Sequence, residues 1–548
     1  MIDYRTPLDD LLFALEHGAG AHRLPHWDGE LAREVLGHAA ALVDAVIAPL
    51  DPVGDAEGAR LVDGRVRMPA GFAAAYGRYR DAGWPGLAVA EEYGGQELPH
   101  VLASALSEML SGACISFQMV LSLAQGAMRT LAANGSRAQC ARWLPLLASG
   151  EWLATMCLTE PQAGSDLGLV RTAAAPAAGG GWRISGGKIF ISGGDQDLTD
   201  GRILHLVLAR TADAPAGVKG LSLFLCPSHL PDGRRNAVQV LRLEEKMGMH
   251  ASPTCQMAFD EAKAEIVGAP GEGLRRMFTM MNAERLDVAV QGVGLAEVAT
   301  QRALAYARER RQGRAAAGTG PADMIHRHAD VQRMLLTQMA LSMGCRALVL
   351  RTLVDLERGD RPALVELMTP VAKAFATEAA QEAAGLAVQV HGGYGFLREY
   401  RVEQIARDGR ITPIYEGTNG IQAATLAGRL IRQDGTLAAF RAEIGDALAA
   451  ARSIDTAPLA DALAAWETAT AALLERSFPG AAAVPYLRLT GLTAFGAVWA
   501  RLEAAAGSSR LRAVATFVRR WMLPEATHLA ALCCSPPLPD VPADVFEG

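Results

Sequence analysis

No pair of cysteines in this 548-residue chain stands in a C-x-x-C arrangement, and none of the eight, at 114, 140, 157, 226, 255, 345, 533 and 534, has the spacing of a zinc site. They read as reduced, mostly buried thiols of a cytoplasmic protein, with the adjacent Cys533 and Cys534 expected in a tail. An excess of one charge is also missing: 52 basic against 59 acidic residues leave −7 on a large surface, which offers no footprint for nucleic acid. Apolar runs stop short of about 18 residues, so no membrane span is expected. The start, Met1-Ile2-Asp3-Tyr4-Arg5, is not followed by an uncharged apolar stretch, so no secretory signal is read. Internal repeats and low-complexity blocks are absent. Gly292-Val293-Gly294 lies in a helical pattern without a preceding strand, so it is no dinucleotide-binding fingerprint. His326 and His328 would diverge on a helix, and no metal site is expected.

What is present is a change of texture along the chain. The length allows roughly three to four domains of about 150 residues. Residues 1–153 are rich in Ala and Leu at helical spacing, broken at Pro49-Leu50-Asp51-Pro52 and Gly83-Trp84-Pro85-Gly86, which read as turns between helices. Residues 154–270 switch to strand-length apolar runs such as 203–208 and 221–225, and 254–259 alternates small or polar with bulky residues. Residues 271–432 return to helical spacing, with Leu336, Met339, Met343, Ala347 and Leu350 on one stripe. Residues 433–548 remain Ala- and Leu-rich, notably 459–474 and 492–518, and end in a Pro-rich tail. The fold class expected is α+β: an N-terminal helical domain, a small middle β-barrel or sandwich, a C-terminal four-helix bundle and an additional helical extension.

Three segments carry chemistry. Ile414-Tyr415-Glu416-Gly417-Thr418-Asn419 sets one carboxylate among apolar and glycine neighbours, where desolvation raises its basicity and suits it to removing a carbon-bound proton. Read alone, Glu416 equally suits a carboxylate leading into a helix, stabilised by the N-terminal dipole. Leu158-Thr159-Glu160-Pro161-Gln162-Ala163-Gly164-Ser165-Asp166 ends an apolar run in a Pro-Gly turn whose small residues permit close approach of an anion. In Ile189-Phe190-Ile191-Ser192, regular alternation would send an aromatic ring and a hydroxyl to one face.

These segments, in this order and spacing, resemble the acyl-CoA dehydrogenase family across about residues 35 to 430. The opening Tyr4-Arg5-Thr6-Pro7-Leu8 and the long extension are most similar to the larger bacterial forms, which include the 3-methylmercaptopropionyl-CoA dehydrogenases. The resemblance implies FAD as cofactor, an acyl-CoA as substrate, and α,β-desaturation with Glu416 as the base. It implies that Thr159, Phe190 and Ser192 meet the flavin and Ser165 its pyrophosphate. Arg310, Gln312, Gln389, Gly392 and Gly393 match segments that receive pyrophosphate and adenine from a neighbouring subunit. Thr418 matches a flavin contact, and Arg285 a buried arginine near the base. Phe190 and Ser192 stand where relatives often have Trp and Thr, and Asn282 where many have an acid. An electron-transfer flavoprotein is the acceptor implied, and a homodimer the assembly, because the extension would occupy the surface through which shorter relatives form tetramers. Oxygen-reactive flavoenzymes of the same fold, an oxidase or a monooxygenase, and a flavin-free scaffold are the competing readings. Arginines 501, 510, 512, 519 and 520 suggest either a basic amphipathic face or solvated and dimer-contact surfaces; membrane attachment is not expected.

Overall fold

Half-buried strands announce themselves by period two, and 254–267 does so: Cys255, Met257 and Phe259 point inward while Thr254, Gln256 and Ala258 are partly exposed. The computed structural model describes residues 3–316, 318, 321–451, 453–538 and 542–546. It divides into two compact units, one of residues 3–6 and 35–287 and the other of 7–34 and 288–548.

The first of these holds the sheet. A hairpin, β1 (Arg60–Val62) with β2 (Arg65–Arg67), precedes the main sheet of β3 (Leu153–Cys157), β4 (Ala173–Pro176), β5 (Trp182–Ser192), β6 (Ile203–Thr211), β7 (Leu221–Pro227), β8 (Val238–Leu243) and β9 (Thr254–Val267). The path runs β3-β6-β4-β5-β9-β7, with β8 beside β9, and β7 pairs back onto β6. That last pairing closes β6, β4, β5, β9 and β7 into a ring, and β6 and β7 are almost completely buried. Around it stand helices, of which His100–Asn134 is nearly all interior and is broken at Cys114 (φ −161°, ψ 92°). The turn expected at Pro49 to Pro52 is confined to Ala48 and Pro49, between the helical stretch Val43–Ile47 and the helix Leu50–Glu57; Pro52 already lies in the first turn of that helix, where a proline forfeits no helical hydrogen bond.

In the other unit, helices Ala329–Arg358 and Pro362–His391 form the centre. Gly292 explains why a glycine sits inside a helix: an added Cβ would meet the backbone of Ala376 and Thr377, so its absence lets two helices approach closely. The extension packs on the same helices. Gly344 lies under the rings of Phe495 and Trp499, and Gly491 under Phe375; the Phe375 and Phe495 rings are 5.4 Å apart, and the Trp499 indole donates to the Ala340 carbonyl at 3.2 Å. Phe495 and Trp499 are fully buried, each contributing about 2–3 kcal/mol by area. The Ala- and Leu-rich stretch 492–518 is helical, divided between Ala483–Ala504 and Ser509–Phe517, the second started by Ser508 accepting from the Leu511 N–H.

Two further readings bear on the apolar helices and the extension arginines. His100–Asn134 and Gly480–Ala504 are long and apolar enough to cross a membrane, because scattered Ser, Thr, Gly and Gln interrupt an apolar run without lowering its average much. Their most apolar windows are 94% and 78% buried inside the protein, so they serve as core helices here. Of the extension arginines, Arg501 pairs with Glu443 at 3.1 Å, Arg510 with Asp10 and Arg519 with Glu503, Arg512 donates to the Ala506 carbonyl, and Arg510, Arg512 and Arg520 are exposed, as the reading of solvated faces expects. Cys533 is buried at the end of the helix Glu525–Cys534, and only Cys534 is exposed.

Candidate functional site

The turn after β3 is closed by two backbone hydrogen bonds between Glu160 and Ala163, 3.0 and 2.9 Å, which bring Thr159 to the lip of the strand and Gly164 and Ser165 into the open. A Cβ on Gly164 would meet nothing within 4 Å, leaving backbone that an anion can approach. Glu160 itself is buried. Its carboxylate accepts from the Lys188 ammonium at 2.8 Å, the Thr172 hydroxyl at 2.6 Å and the Arg171 and Thr172 N–H groups at 2.8 and 3.0 Å. Burial alone would raise its pKa, but the Lys188 charge and these hydrogen bonds outweigh it and hold the carboxyl at about 2.

Phe190 does not follow the straight alternation expected of its strand. The β5–β9 register slips between Lys188 and Ile191, so β5 carries a bulge there, and Phe190 sits at φ +57° with its ring 60% exposed. A bulky residue held in the left-handed region costs on the order of 1–3 kcal/mol and persists only where the surroundings fix it. The bulge turns the ring outward, and Ser192 two residues on is half-buried against Thr254 of β9. Arg285, expected to be buried, is half-exposed and donates to Asn282 Oδ1 at 3.1 Å.

In the second unit Glu416 (φ +56°) and Gly417 (φ +83°) are successive left-handed residues. Three side chains hold this kink. Lys373, wholly buried, donates to the Gly417 carbonyl and to Asn419 Oδ1, both at 3.0 Å. The Gln422 amide donates to the carbonyls of Glu416 and Gly417 at 3.1 and 3.2 Å, and the Tyr415 hydroxyl bonds to Gln291. Thr418 is the N-cap of the helix Asn419–Gly428, its hydroxyl accepting from the Ile421 N–H at 3.2 Å. Glu416 therefore stands ahead of the helix in a fixed turn with its side chain partly solvent-accessible.

Arg310, Gln312, Gln389, Gly392 and Gly393, far apart in sequence, line one cleft of about 480 Å³ with Tyr306, Ile325, His391, Tyr394 and Leu397. Gly392 has φ +61°, and neither it nor Gly393 would place a Cβ against any atom within 4 Å. The Arg310 guanidinium lies 5.8 Å from the Tyr394 ring centre, and Tyr306 stacks on His391 at 4.2 Å. Burial lowers the His391 pKa from its ordinary value. Bare glycine backbone, a guanidinium and flat aromatic faces suit an anionic nucleotide. The sequence reading missed this aromatic lining and the anchoring lysines; tyrosines spaced along separate helices give no local pattern, and a lone Lys in an apolar run reads as a surface charge.

Each unit by itself presents residues that fit part of an FAD: one has an outward aromatic at Phe190 and open small residues at Gly164 and Ser165, the other the cleft around Arg310 and Gly392.

Comparison with known proteins follows the same lines. The chain matches the acyl-CoA dehydrogenase N-terminal domain over residues 33–151, the middle domain over 155–262 and the C-terminal domain over 271–431. It is 43% identical over 536 residues to the 3-methylmercaptopropionyl-CoA dehydrogenase of Ruegeria pomeroyi, 90% of each chain. Caenorhabditis elegans ACDH-11, solved in complex with C11-CoA, superposes with a TM-score of 0.77 at 21% identity, covering 99% of this chain and 93% of that one. The Bacillus anthracis acyl-CoA dehydrogenase complexed with FAD superposes with a TM-score of 0.73 at 22% identity, covering 93% and 88%; both likenesses concern the fold. With three domain matches in sequence and a full-length relative at this identity, the chain belongs to the acyl-CoA dehydrogenase family of oxidoreductases.

Proposed function

We propose that this chain desaturates an acyl-CoA thioester between Cα and Cβ, with Glu416 as the base. The observation that carries the reading is the fixed left-handed turn at Glu416 and Gly417, gripped by Lys373 and Gln422. Such a turn costs conformational energy, and carboxylates held this way are over-represented at reactive sites. The Glu416 carboxylate takes the α-proton, the C–H electron pair becomes the new Cα=Cβ bond, and the β-hydrogen leaves with its own pair as hydride. FAD, when bound, supplies the hydride acceptor. The backbone N–H of Glu416 serves the thioester oxygen as charge develops on it; one such donor is worth about 3 kcal/mol in other enzymes. Phe190 offers the flavin ring a face, Thr159 and Ser192 offer hydroxyls and Ser165 receives the pyrophosphate, while Arg310, Gly392 and Gly393 receive the phosphates of a neighbouring subunit's cofactor.

The acceptor we propose is an electron-transfer flavoprotein, and the assembly a homodimer in which the cleft around Arg310 serves the partner's cofactor. A light-scattering mass of four chains would count against the dimer. The division at 153, 270 and 432 into helical, β, bundle and extension domains is proposed on the same footing. The relationship to a 3-methylmercaptopropionyl-CoA dehydrogenase makes short thioether acyl-CoAs the first substrates to try. The test is an anaerobic titration of FAD-loaded protein with short, medium, long, branched and methylthio acyl-CoAs, followed by flavin bleaching. Bleaching by one class, abolished in Glu416→Gln while that variant keeps its FAD, is the expected result; no bleaching by any thioester sinks the proposal.

A further inference from the structure

Five of the 52 basic residues are lysines, at 188, 219, 246, 263 and 373, the rest being arginine. Two of the five, Lys188 and Lys373, have no solvent exposure at all. A buried lysine is a costly choice in a chain that otherwise uses arginine, and it is made where a compact point charge must reach carbonyl oxygens that a planar fork cannot. Lys373 grips the turn of Glu416, described above. Lys188 has no part in the proposed chemistry, yet it is joined to the other half of the cofactor apparatus.

We infer that Lys188 and Glu160 are positioning residues for the flavin: their buried bridge ties the residues on both sides of Thr159 to the strand that presents Phe190. The Lys188 ammonium donates to the Leu158 carbonyl at 2.9 Å and to Glu160 at 2.8 Å, so one side chain holds the residue before Thr159 and the residue after it. The next residue along β5 completes the clamp, since the Ile189 N–H donates to the Thr159 carbonyl at 2.9 Å. Phe190 follows at once, in the bulge. Thr159 and Phe190 are thereby fixed against one another by three hydrogen bonds that neither of them makes with its side chain, which leaves hydroxyl and ring available to a ligand. The opposite end of Glu160 is fixed in turn: Arg171 and Thr172 bind it through backbone N–H groups, and Gln162 through its amide at 2.7 Å. A bulge with a left-handed aromatic would relax toward regular pairing if its neighbour were released. The inference rests on the flavin reading of Thr159 and Phe190.

The experiment compares the full chain with Glu160→Gln and with the double variant Lys188→Met/Glu160→Gln, which removes both charges and so leaves no unpaired ion in the interior. Each is stripped of flavin, checked for folding by circular dichroism and thermal midpoint, and titrated with FAD; visible absorption maxima and flavin reduction potential are then recorded. The double variant is expected to fold and to bind FAD at least tenfold more weakly, with shifted absorption maxima and potential. Glu160→Gln, which keeps the Lys188 bond to Leu158, is expected to bind about threefold more weakly with a smaller shift, and it decides the matter should the double variant not fold. A folded variant with the parent's affinity, spectrum and potential overturns the positioning role and leaves the flavin reading standing. A parent chain that takes up no FAD overturns both.

Discussion

Replacing Glu443 by glutamine removes a carboxylate that Arg351, Arg361 and Arg501 share. Arg351 is on the helix Ala329–Arg358, Arg361 caps Pro362–His391, and Arg501 and Glu443 belong to the extension helices Ala483–Ala504 and Thr436–Ala450. Burial would raise the Glu443 pKa, but the Arg351 hydrogen bond and the three guanidinium charges outweigh it and hold the carboxyl at about 2. From an ordinary 4.5 that fall, at about 1.4 kcal/mol for each pH unit, corresponds to about 3–4 kcal/mol of native-state stabilisation. The range of about 3–5 kcal/mol seen when one partner leaves a buried ion pair agrees. The folded pKa is depressed, so this stability is full above pH 4.5 and is lost as pH falls toward 2. Hydrogen exchange of Thr436–Ala450 in Glu443→Gln at pH 7 should therefore run on the order of a hundredfold faster, through opening of the extension. The gap between parent and variant should narrow below pH 4.5. Exchange within about threefold of the parent at pH 7 would refute the reasoning, because it would mean the arginines find equal partners without the carboxylate.

Phe190→Gly should leave apo protein at least as stable by thermal midpoint, since glycine accepts φ +57° without the cost of about 1–3 kcal/mol that a side chain meets, while FAD affinity falls at least tenfold. Gly491→Leu drives a side chain into the Phe375 ring and should cost about 1–3 kcal/mol in denaturant unfolding; an unchanged midpoint would mean the extension helix can shift freely. Thr418→Ala removes the cap of Asn419–Gly428 and should cost about 1 kcal/mol, with a fall in turnover exceeding any change in FAD binding if the cap serves the base. Equal turnover would assign Thr418 to helix stability alone.

The strand-rich middle and the helical flanks were legible because period two and period 3.6 differ over short windows, as 254–259 shows. Glu416 and the Thr159 turn were legible because glycine and proline mark turns in sequence. The bulge at Phe190 was not, since its cause is an uneven pairing with β9 that no local pattern carries. The partners of arginines 501, 510 and 519 were hidden for a related reason: each lies 16 to 500 residues away. At Pro49-Leu50-Asp51-Pro52 the break was legible and its extent was not, because proline both ends helices and begins them.

The extension lies on the bundle helices through glycines 344 and 491 and the Glu443 cluster. Because it arrives on the same polypeptide, its local concentration over that face is set by tether length, and dilution does not lower it. Cover supplied by a second molecule would dissociate at low protein concentration and bare Phe375, Phe495 and Trp499; here the bundle stays sheathed at any concentration the cell or the cuvette provides.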